Sequence, residues 1–189
     1  MTNNIYLSTT CFKKDSLEEI INICKDHNIS NLELSGNLKY LDDDDLNKLL
    51  NDSNFNFRFH NYFPIPKEPF IINIASPQTA DLSIKNIIKG MNFANNYGAK
   101  IFSFHAGLRF DPIISSLGKK QLVFDTLSLD ESYALLEKSL STIVKSNLYK
   151  CTICIENNVI ENKNFNKSEN RYVFSDLSDY KFIRRIINF

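Results

Sequence analysis

The feature of this 189-residue chain that most constrains its fold is an alternation, five times over, of short β-rich runs with amphipathic helical segments. The runs predicted as strands are 5–10, 31–35, 55–62, 100–105 and 151–157. The segments predicted as helices begin at Ser16 and Ser128, span 42–50 and 81–97, and run from about Asp176 to the C-terminus. Strands that alternate with helices predict a parallel sheet with helical crossovers. A barrel and an open doubly wound sheet both satisfy that pattern.

Several of the predicted helices carry clear end signals. Ser16 with Glu19 and Ser128 with Glu131 have the spacing of a capping box, and Gly98 supplies a left-handed stop after the helix over 81–97. The helical spacing after Ser128 predicts an inward-facing stripe that consists of Leu129, Tyr133, Leu136, Leu140, Ile143 and Val144.

The two faces of the predicted strands differ in polarity. Successive residues of a strand point to opposite faces. One face then carries Ile5, Leu7, Leu32, Leu34, Phe57, Phe59, Phe102, Phe104, Ile153 and Ile155, and the other carries Tyr6, Ser8, Glu33, Ser35, Arg58, His60, Ser103, His105, Cys154 and Glu156. A doubly wound sheet needs apolar residues on both faces of its central strands, whereas a barrel has helices outside only. The pattern predicts an α/β fold, an incomplete (β/α)8 TIM barrel of about five βα units with parallel strands.

Titratable side chains fall where three successive predicted strands end. His60, His105 and Glu156 share the polar face, and long connections follow each of them. In TIM barrels the catalytic residues come from the C-terminal ends of the strands. Imidazole nitrogen and carboxylate oxygen are suitable ligands for a divalent transition ion, and a carboxylate is also a proton acceptor. The sequence therefore predicts a metal site at the barrel mouth.

The length of the chain fits part of a barrel. A typical TIM barrel needs ~250 residues, whereas the single domain predicted over 1–189 holds five βα units. We expect it to be the N-terminal five-eighths of a barrel, with strands six to eight missing. Strand five would then present an unpaired edge, which favours self-association.

Three of the predicted strands end in the strings Phe59-His-Asn-Tyr62, Phe104-His-Ala-Gly107 and Ile155-Glu-Asn-Asn158. These strings resemble those of the xylose-isomerase-like TIM barrels. The resemblance covers essentially the whole chain, and it implies a divalent metal, Mn, Zn, Mg or Co, held by His60, His105 and Glu156. The metal ligands that this superfamily has on strands six to eight have no counterpart here.

Three further strings are Leu32-Glu-Leu-Ser-Gly36, Asn61-Tyr-Phe-Pro64 and Ser103-Phe-His-Ala-Gly107. Within that superfamily, they are most similar to the sugar phosphate isomerase/epimerase branch. This resemblance implies metal-dependent proton transfer next to a carbonyl, with Glu156 as the catalytic acid/base and a small carbohydrate or sugar phosphate as the partner. The residues expected to bind the substrate are Asn61, Tyr62, Arg109, Asn157 and Asn158.

Two other functions stay open at this point. The related AP endonuclease branch implies a metal-dependent phosphodiesterase with the same three ligands. A chain that supplies half of the metal site is, alternatively, a truncated noncatalytic fragment, so whether the chain as given is an enzyme is left open.

The composition bears on the partner and the location. Lys plus Arg and Asp plus Glu number 22 each, so nucleic acid is not favoured as a partner by bulk charge. The sequence shows no signal peptide or spanning segment, so a cytoplasmic location without membrane association is expected. Cys151 and Cys154 have redox spacing, but in a strand they point to opposite faces, and reduced structural thiols are expected.

One buried ion pair is also predicted. Glu33 and Arg58 lie on the inward face of neighbouring strands, where opposite charges need a partner. We expect these two side chains to pair inside the barrel in a structural role.

Overall fold

The computed structural model describes residues 5–116, 119, 125–146, 151–160, 164, 170–177 and 179–182. Its strands are β1 (Leu7–Ser8), β2 (Asn31–Leu34), β3 (Asn56–His60), β4 (Ile101–His105) and β5 (Thr152–Glu156). Its α-helices are α1 (Leu17–Asp26), α2 (Asp43–Ser53), α3 (Ala80–Asn96) and α4 (Leu129–Ser146). Short 3-10 helices cover Thr9–Cys11 and Ile114–Ser116.

The strands form one sheet in the order β1-β2-β3-β4-β5. The parallel register pairs Leu7 with Leu32, Leu32 with Phe57 and Phe59 with Phe102, so the apolar positions of successive strands align. A sheet of five parallel strands whose spatial order follows the chain, with helical crossovers between them, is the arrangement of an incomplete TIM barrel. The predicted fold class is confirmed.

The described residues fall into two compact units. The first takes in residues before 70, together with 86–103 and 151–154. Its core is built from the apolar faces of β2 and β3 and of α1 and α2, whose fully buried members include Leu32, Leu34, Phe59, Ile20, Ile21 and Leu50. Aromatic side chains extend this core, because Phe59 contacts both Phe63 and Tyr97 with ring centroids 5.6 and 6.3 Å apart.

The second unit takes in 70–85, the described residues within 104–146 and those after 154. Its core residues include Phe104, Ala106, Leu136, Ile143 and Val173, each fully buried. The boundary between the two units cuts β4 and β5, and the prediction of one domain over 1–189 stays a prediction.

In β2 and β3 the two faces divide by burial as expected, whereas β5 shows no such alternation. In β3, Phe57 and Phe59 are buried, whereas Arg58 and His60 are only partly buried. The predicted Glu33–Arg58 ion pair is wrong, because no such pair lies within 4.0 Å among the described side chains although the two residues are register partners. The Arg58 guanidinium instead lies 4.1 Å from the centre of the Tyr6 ring. A cation that lies over an aromatic face is attracted by the ring and needs no carboxylate as its partner.

Several predicted boundaries shift. The first strand is two residues long, because Thr9–Cys11 turns into a 3-10 helix. In α4 the predicted inward positions Leu129 and Val144 are 40 % and 55 % exposed, so these two predictions are wrong. The buried stripe of α4 includes Ser132 and Ser139, small polar residues that the apolar count passes over. The last predicted helix is seen at 179–182, whereas 176 and 177 form a bend and a turn, and 178 and 183–189 lie outside the described residues.

Candidate metal centre

His60 is the last residue of β3, and its position is fixed by β4. The chain leaves the strand at once, because Asn61 takes a left-handed φ of 36°. The backbone N–H of Asn61 donates to the carbonyl of Ser103 at 2.6 Å. The His60 Nδ1 atom lies 2.8 Å from the Ser103 hydroxyl oxygen, so two bonds to one β4 residue hold the end of β3.

His105 and Glu156 are the last residues of β4 and β5. The Nδ1 atom of His105 lies 3.9 Å from Oε2 of Glu156, and the two side chains are 41 % and 43 % exposed. A separation of this size is longer than a hydrogen bond. At this distance the imidazole and the carboxylate do not hydrogen-bond to each other directly.

The three predicted ligands form one group. One ligand atom each from His60, His105 and Glu156 lies within 4.8 Å of the others. Zinc takes nitrogen and carboxylate oxygen at ~2.0–2.2 Å, so two ligands of one tetrahedral ion lie about 3.4 Å apart. The His105–Glu156 separation and the 4.8 Å spread of the group are wider than this. Two imidazoles and a carboxylate are nevertheless a donor set that zinc, manganese and iron accept, so the residue types fit a divalent ion.

The loop after β4 is held by a buried asparagine. The side chain of Asn73, fully buried, accepts hydrogen bonds from the N–H groups of Ala75 and Leu108 and donates to the carbonyl of Phe110. Gly107, with φ at +114°, leaves the space that this amide needs, because a Cβ there would overlap Asn73 Oδ1. The loop that follows His105 therefore has a defined path.

Asp111, an acidic residue further along the loop after β4, is also held by hydrogen bonds. Ser76 and Thr79 both donate their hydroxyls to the Asp111 carboxylate, Thr79 at 2.7 Å. Each bond joins the loop after β3 to the loop after β4. These contacts were not predicted, because nothing in the local sequence pairs residues more than thirty positions apart.

The five residues predicted to bind substrate have different surroundings. Asn61 and Tyr62 directly follow His60 and are partly buried, and Asn157 is exposed. Arg109 donates from its guanidinium to the carbonyls of Leu127 and Asn170. Asn158 donates from its amide to the carbonyls of Gly107 and Val173 at 2.7 and 2.5 Å. Their roles toward a substrate stay predictions, with Arg109 and Asn158 already bonded within the protein.

Burial raises the pKa values of groups other than the three predicted ligands, among them Tyr133 and Cys151. Burial is the main cause that raises the pKa of the Tyr133 hydroxyl, which donates to the buried Asp179 carboxylate. Burial likewise raises the pKa of the Cys151 thiol, and the four cysteines are free. A thiol with a raised pKa is a poor nucleophile, in keeping with the structural role expected for Cys151.

Comparison with known proteins gives a match in structure alone. No family model and no curated protein matches this sequence. Among solved structures, the chain is similar to the crystal structure of endonuclease IV from Thermus thermophilus, with a TM-score of 0.53 and 9 % sequence identity. The match covers 97 % of this chain and 57 % of that one, so the chain spans a little over half of its structural neighbour.

The predicted partner needs correction. A small carbohydrate or sugar phosphate was expected, with nucleic acid not favoured, whereas the solved structure that matches carries the name of an endonuclease. The carbohydrate was expected from the resemblance to the isomerase/epimerase branch, and nucleic acid was disfavoured because of net charge. Bulk charge governs sequence-independent attraction to a duplex, whereas an ion bound in a site attracts a phosphate locally and is not counted in the sequence.

No described helix has both the length and the apolar character needed to cross a bilayer. The predicted cytoplasmic location stays a prediction. The strand order, the crossovers and the structural match agree on one conclusion: the described residues have the fold of an incomplete TIM barrel.

Proposed function

We propose that this chain belongs to a divalent-metal-dependent phosphodiesterase that cleaves the backbone of nucleic acid. The observation that carries the proposal is the convergence of His60, His105 and Glu156 at the ends of three neighbouring strands, with ligand atoms within 4.8 Å of one another. The similarity in fold to a protein named an endonuclease supports the choice of substrate class.

The three side chains would hold the ion, and their differences suggest separate roles. A bound divalent ion supplies Lewis-acid polarisation of a phosphoryl oxygen and lowers the pKa of a bound water. Glu156 brings the only negative charge of the three, which offsets the charge of the ion. His60 and His105 would bind an ion through a ring nitrogen without adding charge, so the loaded group would keep a net positive charge that attracts a phosphodiester.

The surrounding residues would orient the backbone of the substrate. Asn61 follows His60 directly, and its buried Oδ1 atom has no hydrogen-bond donor among the described residues. This acceptor is suited to a hydrogen-bond donor of the substrate, such as the C1′ hydroxyl that an abasic deoxyribose carries. Tyr62 and the exposed Asn157 follow His60 and Glu156 in the same way and are the next candidates for contacts with the strand.

The isomerase chemistry that the sequence resemblance implies would use the same three ligands. It needs a carbohydrate partner, and no contact among the described residues favours one. We therefore retain the phosphodiesterase alone.

The test is cleavage of a labelled DNA duplex that contains one abasic-site analogue, compared with the undamaged duplex, in the presence of Zn²⁺ or Mn²⁺. We expect incision that is lost with a chelator and falls at least ~100-fold in Glu156→Gln, which removes the charged ligand. Glu18→Gln, a change of the same kind at an exposed position of α1, should retain the wild-type rate.

Two results would contradict the proposal. Incision that is equal in Glu156→Gln and wild type would show that the activity is not from this site. A folded chain that incises neither duplex with any divalent ion would favour the alternative that the chain is a noncatalytic fragment.

A further inference from the structure

We propose that Asn158 is a positioning residue that joins the chain after His105 to the chain after Glu156. Its side-chain amide donates hydrogen bonds to the carbonyls of Gly107 and Val173, which holds the two strand ends that carry these ligands to each other. The consequence for metal binding rests on the proposed function, whereas the hydrogen bonds themselves do not.

The place of Asn158 in the chain gives this contact its effect. Gly107 is the second residue after His105, the last residue of β4, and Asn158 is the second residue after Glu156, the last residue of β5. The Asn158 Nδ2 atom lies 2.7 Å from the Gly107 carbonyl oxygen, within the range of a well-formed hydrogen bond. The two ligands are therefore linked through this hydrogen bond by a path of only two residues on either side.

The direction of these hydrogen bonds is fixed by the partners of Asn158. A backbone carbonyl oxygen only accepts, and the two N–H donors of an asparagine side chain are both on Nδ2. The same Nδ2 atom lies 2.5 Å from the Val173 carbonyl oxygen, so each N–H meets one carbonyl. Both donors are then used within the protein, which favours a positioning role over the predicted contact with substrate.

Val173 and Phe174 supply a third segment to this junction. The backbone N–H of Asn158 donates to the Phe174 carbonyl at 2.9 Å, and the N–H of Val173 donates to the Gly107 carbonyl at 3.4 Å. Phe174 has a left-handed φ of 56° and is 4 % exposed. A bulky residue keeps such a conformation only where its surroundings fix it. Asn158 therefore bonds to a segment whose own path is constrained.

The separation of the two ligands explains why this junction matters. The Nδ1 atom of His105 and the Oε2 atom of Glu156 are 3.9 Å apart, against about 3.4 Å for two ligands of one tetrahedral zinc ion. An ion would draw these two side chains together. With both strand ends held by Asn158, the side chains alone need to move. Hydrogen bonds that orient metal ligands typically change metal affinity 10–100-fold.

The first experiment measures hydrogen exchange of side-chain amides by NMR in the wild-type chain without added metal. Asn157→Gln and Asn158→Gln assign the two signals. We expect the Asn158 side-chain protons to exchange more slowly than those of Asn157, which is exposed. Equal exchange of the two amides would overturn the proposal, because water rather than the carbonyls would then take the Asn158 donors.

The second experiment measures Zn²⁺ affinity by competition with a chelator. Asn158→Ala should bind Zn²⁺ about 10-fold more weakly than wild type. Asn56→Ala is the matched control and should bind like wild type, because Asn56 is the first residue of β3 and its amide donates to Oδ1 of Asn31. Equal affinities in Asn158→Ala and Asn56→Ala would overturn the positioning role.

A third measurement separates positioning from a general loss of stability. Co²⁺ has visible absorption bands that depend on how its ligands are arranged. Asn158→Gln keeps both N–H donors but places them one carbon further from the backbone. At saturating Co²⁺ we expect altered bands in Asn158→Gln and the wild-type bands in Asn56→Ala. Wild-type bands in Asn158→Gln would overturn the proposal, because the arrangement of the ligands would then not depend on Asn158.

The readouts distinguish a failure of this proposal from a failure of the proposed function. A wild-type chain that binds neither Zn²⁺ nor Co²⁺ would remove the proposed function together with the consequence for metal binding, whereas the hydrogen-bonded junction would stand or fall with the exchange of the Asn158 amide. If Asn158→Ala fails to fold, the exchange in wild type and the Co²⁺ spectrum of Asn158→Gln decide.

Discussion

At the scale of single residues, the alternation of side chains along a strand identified the three predicted ligands. It did not identify the residues that fix their positions by hydrogen bonds. His60, His105 and Glu156 share the polar face because the side chains of a strand alternate, and this period is visible in the sequence. Ser103 was placed on that face by the same period, yet its contact with His60 depends on the register between β3 and β4. Asn73 lies in a loop, and its three bonding partners are set by tertiary structure.

Gly107 provides a test of the loop that follows His105. Gly107→Ala should lower the free energy of unfolding by about 3 kcal/mol, because it combines a positive φ with a clash against the Asn73 amide. Gly98→Ala is the control, since Gly98 has φ at +64° and open space around it, and should cost only about 1 kcal/mol. Urea unfolding of both variants measures the difference. Equal costs would mean that the Asn73 contact does not constrain the loop.

At the scale of elements, sequence signals located the helices, and side-chain contacts decided which of the predicted capping bonds form. The capping box predicted at Ser128 and Glu131 forms completely, with each residue bonding the other's backbone N–H at 3.2 and 2.9 Å. Of the capping box predicted at Ser16 and Glu19, only one of the two bonds forms. Ser16 accepts the Glu19 N–H at 3.4 Å, whereas the Glu19 carboxylate pairs with Lys14 at 2.9 Å.

The complete box makes a prediction about stability and pH. Ser128→Ala should lower the free energy of unfolding by about 1 kcal/mol, the usual cost of losing an N-cap. The hydrogen bonds from the Ser128 hydroxyl and N–H lower the pKa of the Glu131 carboxyl in the folded chain.

A lowered folded pKa fixes the sign of the pH effect. The stabilisation is present above the unfolded pKa of Glu131, near 4.3, and is lost as the pH falls through the lower folded value. Glu131→Gln should therefore reduce the stability difference between pH 7 and pH 3. Thermal unfolding at the two pH values measures it, and an unchanged difference would show that this carboxylate is not held by the cap.

At the scale of the whole molecule, the alternation of strands and helices predicted the fold, and the charge balance misled about the partner. Parallel pairing in chain order follows from helical crossovers of one hand, so the sheet order could be inferred without any alignment. Loop paths such as the one around Asp111 could not, because they depend on contacts over long sequence separation. Net charge is a property of the whole chain, so it says little about what one local site would bind.

We propose that His60, His105 and Glu156 hold one divalent ion. The direct test is the number of ions bound per folded chain. We expect elemental analysis after dialysis against Zn²⁺ or Mn²⁺ to find a stoichiometric ion in wild type and in the Glu18→Gln control. Glu156→Gln should lose it at the same total metal concentration, with an unchanged circular dichroism spectrum. A folded wild-type chain without a stoichiometric ion, or a Glu156→Gln chain that keeps it, would contradict the account.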